Sequence, residues 1–164
     1  MMKKIVLLLM MIFLPLSAKA EDRFSMSYLK KTYEEGKYLQ AWDGFYNLAA
    51  ENIPEAIYYV GVITFWGQGQ PQNYPYAYNR FVTAGKYGFA EALYMEGVME
   101  LWGMGTKKQN YPKAYESLLK AEKQGHEKAT ILKPFAREHI TDKEAKMIED
   151  DVKFWKPEVP RQPK

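Results

Sequence analysis

The sequence predicts an all-α fold, a solenoid of about four helical hairpins stacked side by side. Three observations carry that expectation. The segment VGVITFWGQGQ (Val60 to Gln70) returns 36 residues later as EGVMELWGMGT (Glu96 to Thr106), with Gly-Val, Trp-Gly and a second Gly in register. The segment NYPYAY at 73–78 returns as NYPKAY at 110–115. Helix-length stretches between these words are bounded by Gly, Pro or Asn, which start and stop helices. A period of this length marks a repeat array whose units bury their apolar faces on one another.

The first twenty residues read as an export signal that precedes the array. MMKK supplies a positive start, IVLLLMMIFL an apolar run, Pro15 a break, and Ala18-Lys19-Ala20 a small-x-small cleavage site. Ten apolar residues fall short of the roughly 20 that span a bilayer. Cleavage after Ala20, release into the periplasm and no membrane insertion are therefore expected. Lys3, Lys4 and Lys19 account for the whole excess of 23 basic over 20 acidic residues. Beyond Ala20 the charges balance, which argues against nucleic acid or an anionic membrane as a partner. Six acidic and two basic residues lie between Tyr38 and Thr106, against three and eight between Lys107 and Arg137. The two parts of the chain thus differ in sign. The chain has no Cys, so neither disulfides nor thiolate metal sites contribute.

Residues 21–155 are expected to form one repeat domain. Its clearest units are 54–89 and 90–126, with degenerate capping units at 24–53 and 127–155. Residues 24–36 supply a first helix, and KYLQAW at 37–42 opens a second as NYPYAY does. In the full units the first helix begins at the Ala of PEA or AEA and ends at Gly-x-Gly. The second begins at Tyr-Pro, where Pro75 and Pro112 suit a first turn, and stops at Gly88 or Gly125. Asn52 takes that stop position in the first unit, because Asn tolerates the left-handed conformation best after Gly. Small residues at Ala41, Ala77 and Ala114, and at Gly61 and Gly97, predict close helix approach. After Gly125 the next helix lacks Gly-x-Gly, and Pro134 is expected to kink or restart it. Thr141-Asp-Lys-Glu144 is a capping-box pattern for a charged last helix reaching about Trp155, the polar cap a solenoid needs. The tail at 156–164, with three Pro in nine residues, is expected to be extended.

The pattern Ala-x4-Gly-x5-Gly-x-Gly, then Tyr-x-x-Ala, then Ala-x-x-x-Gly, resembles the Sel-one-like repeat (SLR), a helical hairpin related to the tetratricopeptide repeat. The resemblance is clear over 37–130 and degenerate over 24–155. It implies a right-handed α/α superhelix and a function in binding another protein as a monomeric, non-catalytic adaptor. Exported bacterial members of the family act in regulation, envelope assembly and immunity. The partner it implies is therefore an envelope protein, or a secreted toxin if the chain is an immunity or inhibitor protein. Glu96 and Glu100 depart from the family pattern, which favours apolar residues there. Looser or water-filled stacking is expected around them. The family's Cys-rich penicillin-hydrolysing branch is no precedent for a chain without Cys.

Catalytic sets are scarce, and no cofactor or metal site is expected. His126-Glu127 begins like a His-Glu-x-x-His zinc motif, but its fifth residue is Thr130 and the other His is His139. His126 reads better as a residue just past a helix stop. Glu149, Asp150 and Asp151 read as a solvated helix face. No P-loop, dinucleotide-binding glycine pattern or Gly-x-Ser-x-Gly elbow occurs. An envelope hydrolase is the third reading, and it would depend on His126 or a carboxylate.

The aromatic content is the remaining signal. Tyr58, Val62, Phe65 and Trp66 share one stripe of their helix, and Tyr94, Val98, Leu101 and Trp102 repeat it. An apolar stripe at helical spacing usually packs in the core. In solenoids of this kind the first helices line a concave face. Tyr58, Val62, Trp66, Tyr94, Val98 and Trp102 are thus the candidate partner-binding residues, with core and groove both open for the two Trp.

Overall fold

Eight helices follow one another in hairpins in the computed structural model, which describes residues 25–161. In chain order they are α1 (Met26–Glu34), α2 (Tyr38–Ala50), α3 (Pro54–Trp66), α4 (Tyr74–Lys86), α5 (Ala90–Trp102), α6 (Tyr111–Lys123), α7 (Glu127–Arg137) and α8 (Asp142–Phe154). From α1 to α7 each helix packs on its chain neighbours, whereas α8 packs on α6 and not on α7. The described residues contain no strand. The proposed leader, 1–20, lies outside them.

The starts and stops follow the local chemistry. Asn73 and Asn110 cap α4 and α6 by accepting the backbone N–H of Tyr76 and Lys113, with Pro75 and Pro112 in the first turn. Asn52 is left-handed, with φ +60°, as are Gly88 and Gly125 at the same place in later units. Thr141 and Glu144 close a complete capping box at α8.

Packing explains the small residues. A Cβ on Gly61 would sit 2.7 Å from the Phe81 ring, and one on Gly97 would sit 2.7 Å from Leu118 Cγ. Bare backbone there lets each first helix close on a large core side chain of its own hairpin. Phe45, Phe81 and Leu118 hold the same position in successive units, and all are fully buried. Burying each contributes about 1.5–3 kcal/mol. In the first hairpin the glycine lies on the second helix instead, where Gly44 makes room for Leu29.

The Gly-x-Gly turn does more than stop a helix. Gly67 and Gly103 are left-handed caps of α3 and α5. The second glycine of each pair reaches back to the preceding unit. A Cβ on Gly69 would lie 2.8 Å from the Leu39 backbone N, and one on Gly105 would lie 2.5 Å from the Tyr74 carbonyl oxygen. Each turn therefore docks on the start of the previous unit's second helix.

Two expectations need revision. Pro134 does not restart its helix: α7 runs through it and ends one turn later. The carbonyl of Thr130, which loses its partner at Pro134, belongs to an exposed residue, so water can satisfy it. The last hairpin is charged but not uniformly polar, since Ile131, Met147 and Phe154 are exposed. The tail leaves α8 extended and then folds back along the ends of the second helices. Lys123 Nζ donates to the carbonyls of Val152, Lys153 and Trp155, and the Glu158 N–H donates to the Lys86 carbonyl.

Candidate functional site

The two repeated tryptophans lie at the last residue of α3 and α5, just before the left-handed glycine. There the helix turns away and the side chain has little left to pack against. Trp66 is 62% exposed and Trp102 is 52% exposed. Their neighbours Phe65 and Leu101 are 5% and 0% exposed, so one residue's step along the helix separates core from surface. Neither Trp is a core residue. Among the aromatic rings of the described residues Trp66 meets Phe65 alone, edge to face, at 4.9 Å between centroids.

The other members of the stripe are engaged differently. Tyr58 packs on Phe81 and on Phe89, the residue that precedes α5. Burial there, with Glu91 nearby, pushes its hydroxyl up to about 12. Tyr94 stacks on His126, the residue that precedes α7, at 4.4 Å between ring centroids. These tyrosines thus form part of the joints between units, although both remain half-buried at the surface, as do Val62 and Val98.

The stripe continues in residues that the sequence reading did not single out. Trp102 stacks on Phe135 at 5.8 Å, Phe135 meets His139 at 4.7 Å, and His139 stacks on Tyr111 at 4.3 Å. The signal was available in the repeat alignment, where Phe135 follows Val98 and His139 follows Trp102 by 37 residues. The missing Gly-x-Gly in the last unit hid it.

Glu96 and Glu100 are buried and paired. The Tyr78 hydroxyl donates to Glu100, and Lys113 Nζ lies 3.3 Å from Glu96. Burial raises the Glu100 pKa despite the Tyr78 hydrogen bond. Burial opposes the Lys113 charge, but Glu96 and Glu116 outweigh it and raise its pKa. Glu96 lines a cavity of about 300 Å³ with Ser117, Lys113, Lys120 and the tail residues Trp155 and Glu158. Among the described residues no three His, Asp or Glu side chains gather in a way that could hold a metal ion. Glu149 accepts from the Tyr115 hydroxyl at 2.7 Å, while Asp150 and Asp151 are exposed. His126 has an unpartnered buried Nδ1, and burial lowers its pKa, against the pull of Glu91.

The fold has counterparts among solved structures. The chain is similar to c5321, a protective antigen present in uropathogenic Escherichia coli strains and displaying an SLR fold, with a TM-score of 0.71 at 15% identity. It is also similar to a Sel1 repeat protein from Oxalobacter formigenes, with a TM-score of 0.64 at 26% identity. The chain folds as a Sel1-like repeat protein. The first match covers 84% of this chain and 34% of c5321, the second 68% of this chain and 45% of the Oxalobacter protein. The Sel1-like chain thus spans less than half the length of either relative. No family model matches it, and no curated protein does. Its all-helical solenoid is the fold that both of these proteins display.

Proposed function

We propose that this Sel1-like protein is a non-catalytic adaptor of the periplasm that binds another protein through an aromatic surface centred on Trp66 and Trp102. The observation that carries the reading is the exposure of both tryptophans at the same position of successive units. The core ends at Phe65 and Leu101, so core burial gives no reason for a Trp one residue later. Exposed Trp is the side chain most enriched among residues that anchor protein interfaces. Val62, Val98 and the accessible edges of Tyr58 and Tyr94 extend the contact, and Phe135 and His139 carry it into the last unit. Balanced charge beyond residue 20 fits a partner recognised by shape and apolar contact more than by field.

The test is a pull-down from periplasmic extract followed by a double substitution, Trp66→Ala with Trp102→Ala. Urea unfolding of the variant should show a loss near 1 kcal/mol, typical of surface positions. A core pair would instead cost about 3–5 kcal/mol each. Affinity for the captured protein should fall by about 2 kcal/mol or more per anchor. Intact stability with unchanged affinity would move the binding site elsewhere, to the basic stretch from Lys107 to Arg137. The proposed compartment rests on residues 1–20. N-terminal sequencing of the periplasmic fraction should begin at Glu21, and uncleaved chain in the membrane fraction would refute the export reading.

A further inference from the structure

The folded-back tail shows how this solenoid holds an extended chain along the ends of its second helices. Contacts recur every three residues, one unit at a time. The Trp155 carbonyl accepts from Lys123 in the third hairpin at 3.0 Å. The Glu158 N–H donates to the Lys86 carbonyl in the second at 2.8 Å. The Arg161 carbonyl accepts from the Asn52 side-chain amide in the first at 3.0 Å. Pro157 sits directly on Gly88, where a Cβ would come within 2.5 Å of the proline ring. Gly88 is thus a flat seat as well as a helix stop, and Asn52 holds the tail as well as its own turn.

The tail's sequence matches this spacing. Proline recurs at 157, 160 and 163, and Trp155 has φ −60° and ψ +136°, close to polyproline II. Each proline also pushes the residue before it into extended conformation. One turn of polyproline II is three residues and rises about 9 Å, near the roughly 10 Å that three extended residues can reach. One turn therefore spans one unit. Polyproline II leaves its backbone N–H and C=O groups without internal partners. Those groups, and the one proline ring, make the contacts named above. Trp155 anchors the tail by its ring, which packs on the last core cluster beside Lys120. Glu158, Val159 and Arg161 are all exposed, so past that anchor the track holds backbone groups and the Pro157 ring.

We propose that the row formed by Asn52, Lys86 to Gly88 and Lys123 is a second docking surface. Its partner is an extended protein segment with Pro-x-x-Pro spacing, and the chain's own tail occupies it in cis. A partner segment of that chemistry docks by displacing the tail. The surface is separate from Trp66 and Trp102, so it stands or falls independently of the aromatic site.

The probe is a fluorescein-labelled peptide, Trp-Lys-Pro-Glu-Val-Pro-Arg-Gln-Pro-Lys, read by anisotropy against the purified protein. A tethered occupant competes at an effective concentration of about millimolar. Disarming it with Pro157→Ala and Pro160→Ala should tighten peptide binding by at least about tenfold. Adding Asn52→Gly, which keeps the left-handed turn and removes only the amide donor, should reverse most of that gain. A peptide with its prolines replaced by Ala should not bind, and Trp66→Ala with Trp102→Ala should leave binding unchanged. Hydrogen exchange should show the Glu158 amide protected in the unmodified protein and released by excess peptide. Equal affinity for the disarmed and unmodified proteins, or binding indifferent to the peptide's prolines, would overturn the proposal. So would an unmodified protein that protects Glu158 only as a concentration-dependent dimer, because the track would then belong to a second copy.

Discussion

His126 illustrates how a residue with a chemical reputation is used for packing. It follows the Gly125 stop and stacks on Tyr94, and its equivalent one unit earlier is Phe89 on Tyr58. The joint thus accepts a ring that carries no charge. Burial holds the His126 pKa below its ordinary value, with Lys128 adding to the effect and Glu91 and Glu127 opposing it. The unfolded chain takes up the proton first, so this residue's share of stability is full above the unfolded pKa of about 6.5. That share is lost as pH falls from there toward the depressed folded pKa. His126→Phe should therefore leave stability at pH 7 unchanged or raised, and flatten its decline on acidification below about 6.5. Urea unfolding at pH 7.5 and 5.5 checks both points. An unchanged pH slope in the variant would place the acid sensitivity elsewhere.

Among the elements, α8 depends most visibly on its ends. Thr141 Oγ accepts the Glu144 N–H at 3.2 Å, and the Glu144 carboxylate accepts the Thr141 N–H at 2.8 Å. Only Ala145 and Val152 of this helix are buried, so packing supplies little to replace the cap. Thr141→Ala should cost about 1 kcal/mol, with faster amide exchange in the first turn of α8 as its local signature. This cap, the proline starts and the left-handed Asn52 were all legible in the sequence, because each is settled within four residues. What the sequence hid was long-range. Nothing near Gly69 announces that Leu39 lies against it, and nothing near Pro157 announces Gly88. The exposure of Trp66 beside buried Phe65 was equally hidden, because both residues fit one apolar stripe. That α7 would run through Pro134 and not restart there was not legible either, because the penalty depends on whether the Thr130 carbonyl can reach water.

At the scale of the molecule, the last hairpin closes the array although part of its outer face is apolar. Ala129, Ala136 and Ala145 join Leu93, Leu101, Leu118 and Tyr115 in one buried cluster. The alanines let α7 and α8 each settle closely on α6, and the lysine clasp at Lys123 ties the end of α8 to α6. A chain truncated after Gly125 should lose that cover, expose Tyr115 and Leu118, and aggregate when purified. Size-exclusion chromatography is sufficient to see it. A well-behaved monomer would mean that the third hairpin closes the array by itself.

The backward reach of Gly69 and Gly105 gives the array a polarity. Each turn needs the start of the preceding second helix as its anvil, and Phe89 and His126 likewise lean on tyrosines already behind them. No unit waits on a later one for these contacts. A chain emerging N-terminus first thus meets every docking partner in finished form, so assembly can proceed like a zip closing in the direction of synthesis. The same asymmetry makes the two ends unequal in evolution. A new hairpin appended at the C-terminal side finds its anvil waiting, whereas one inserted ahead of α1 must supply an anvil to a first unit that has no Gly-x-Gly with which to use it.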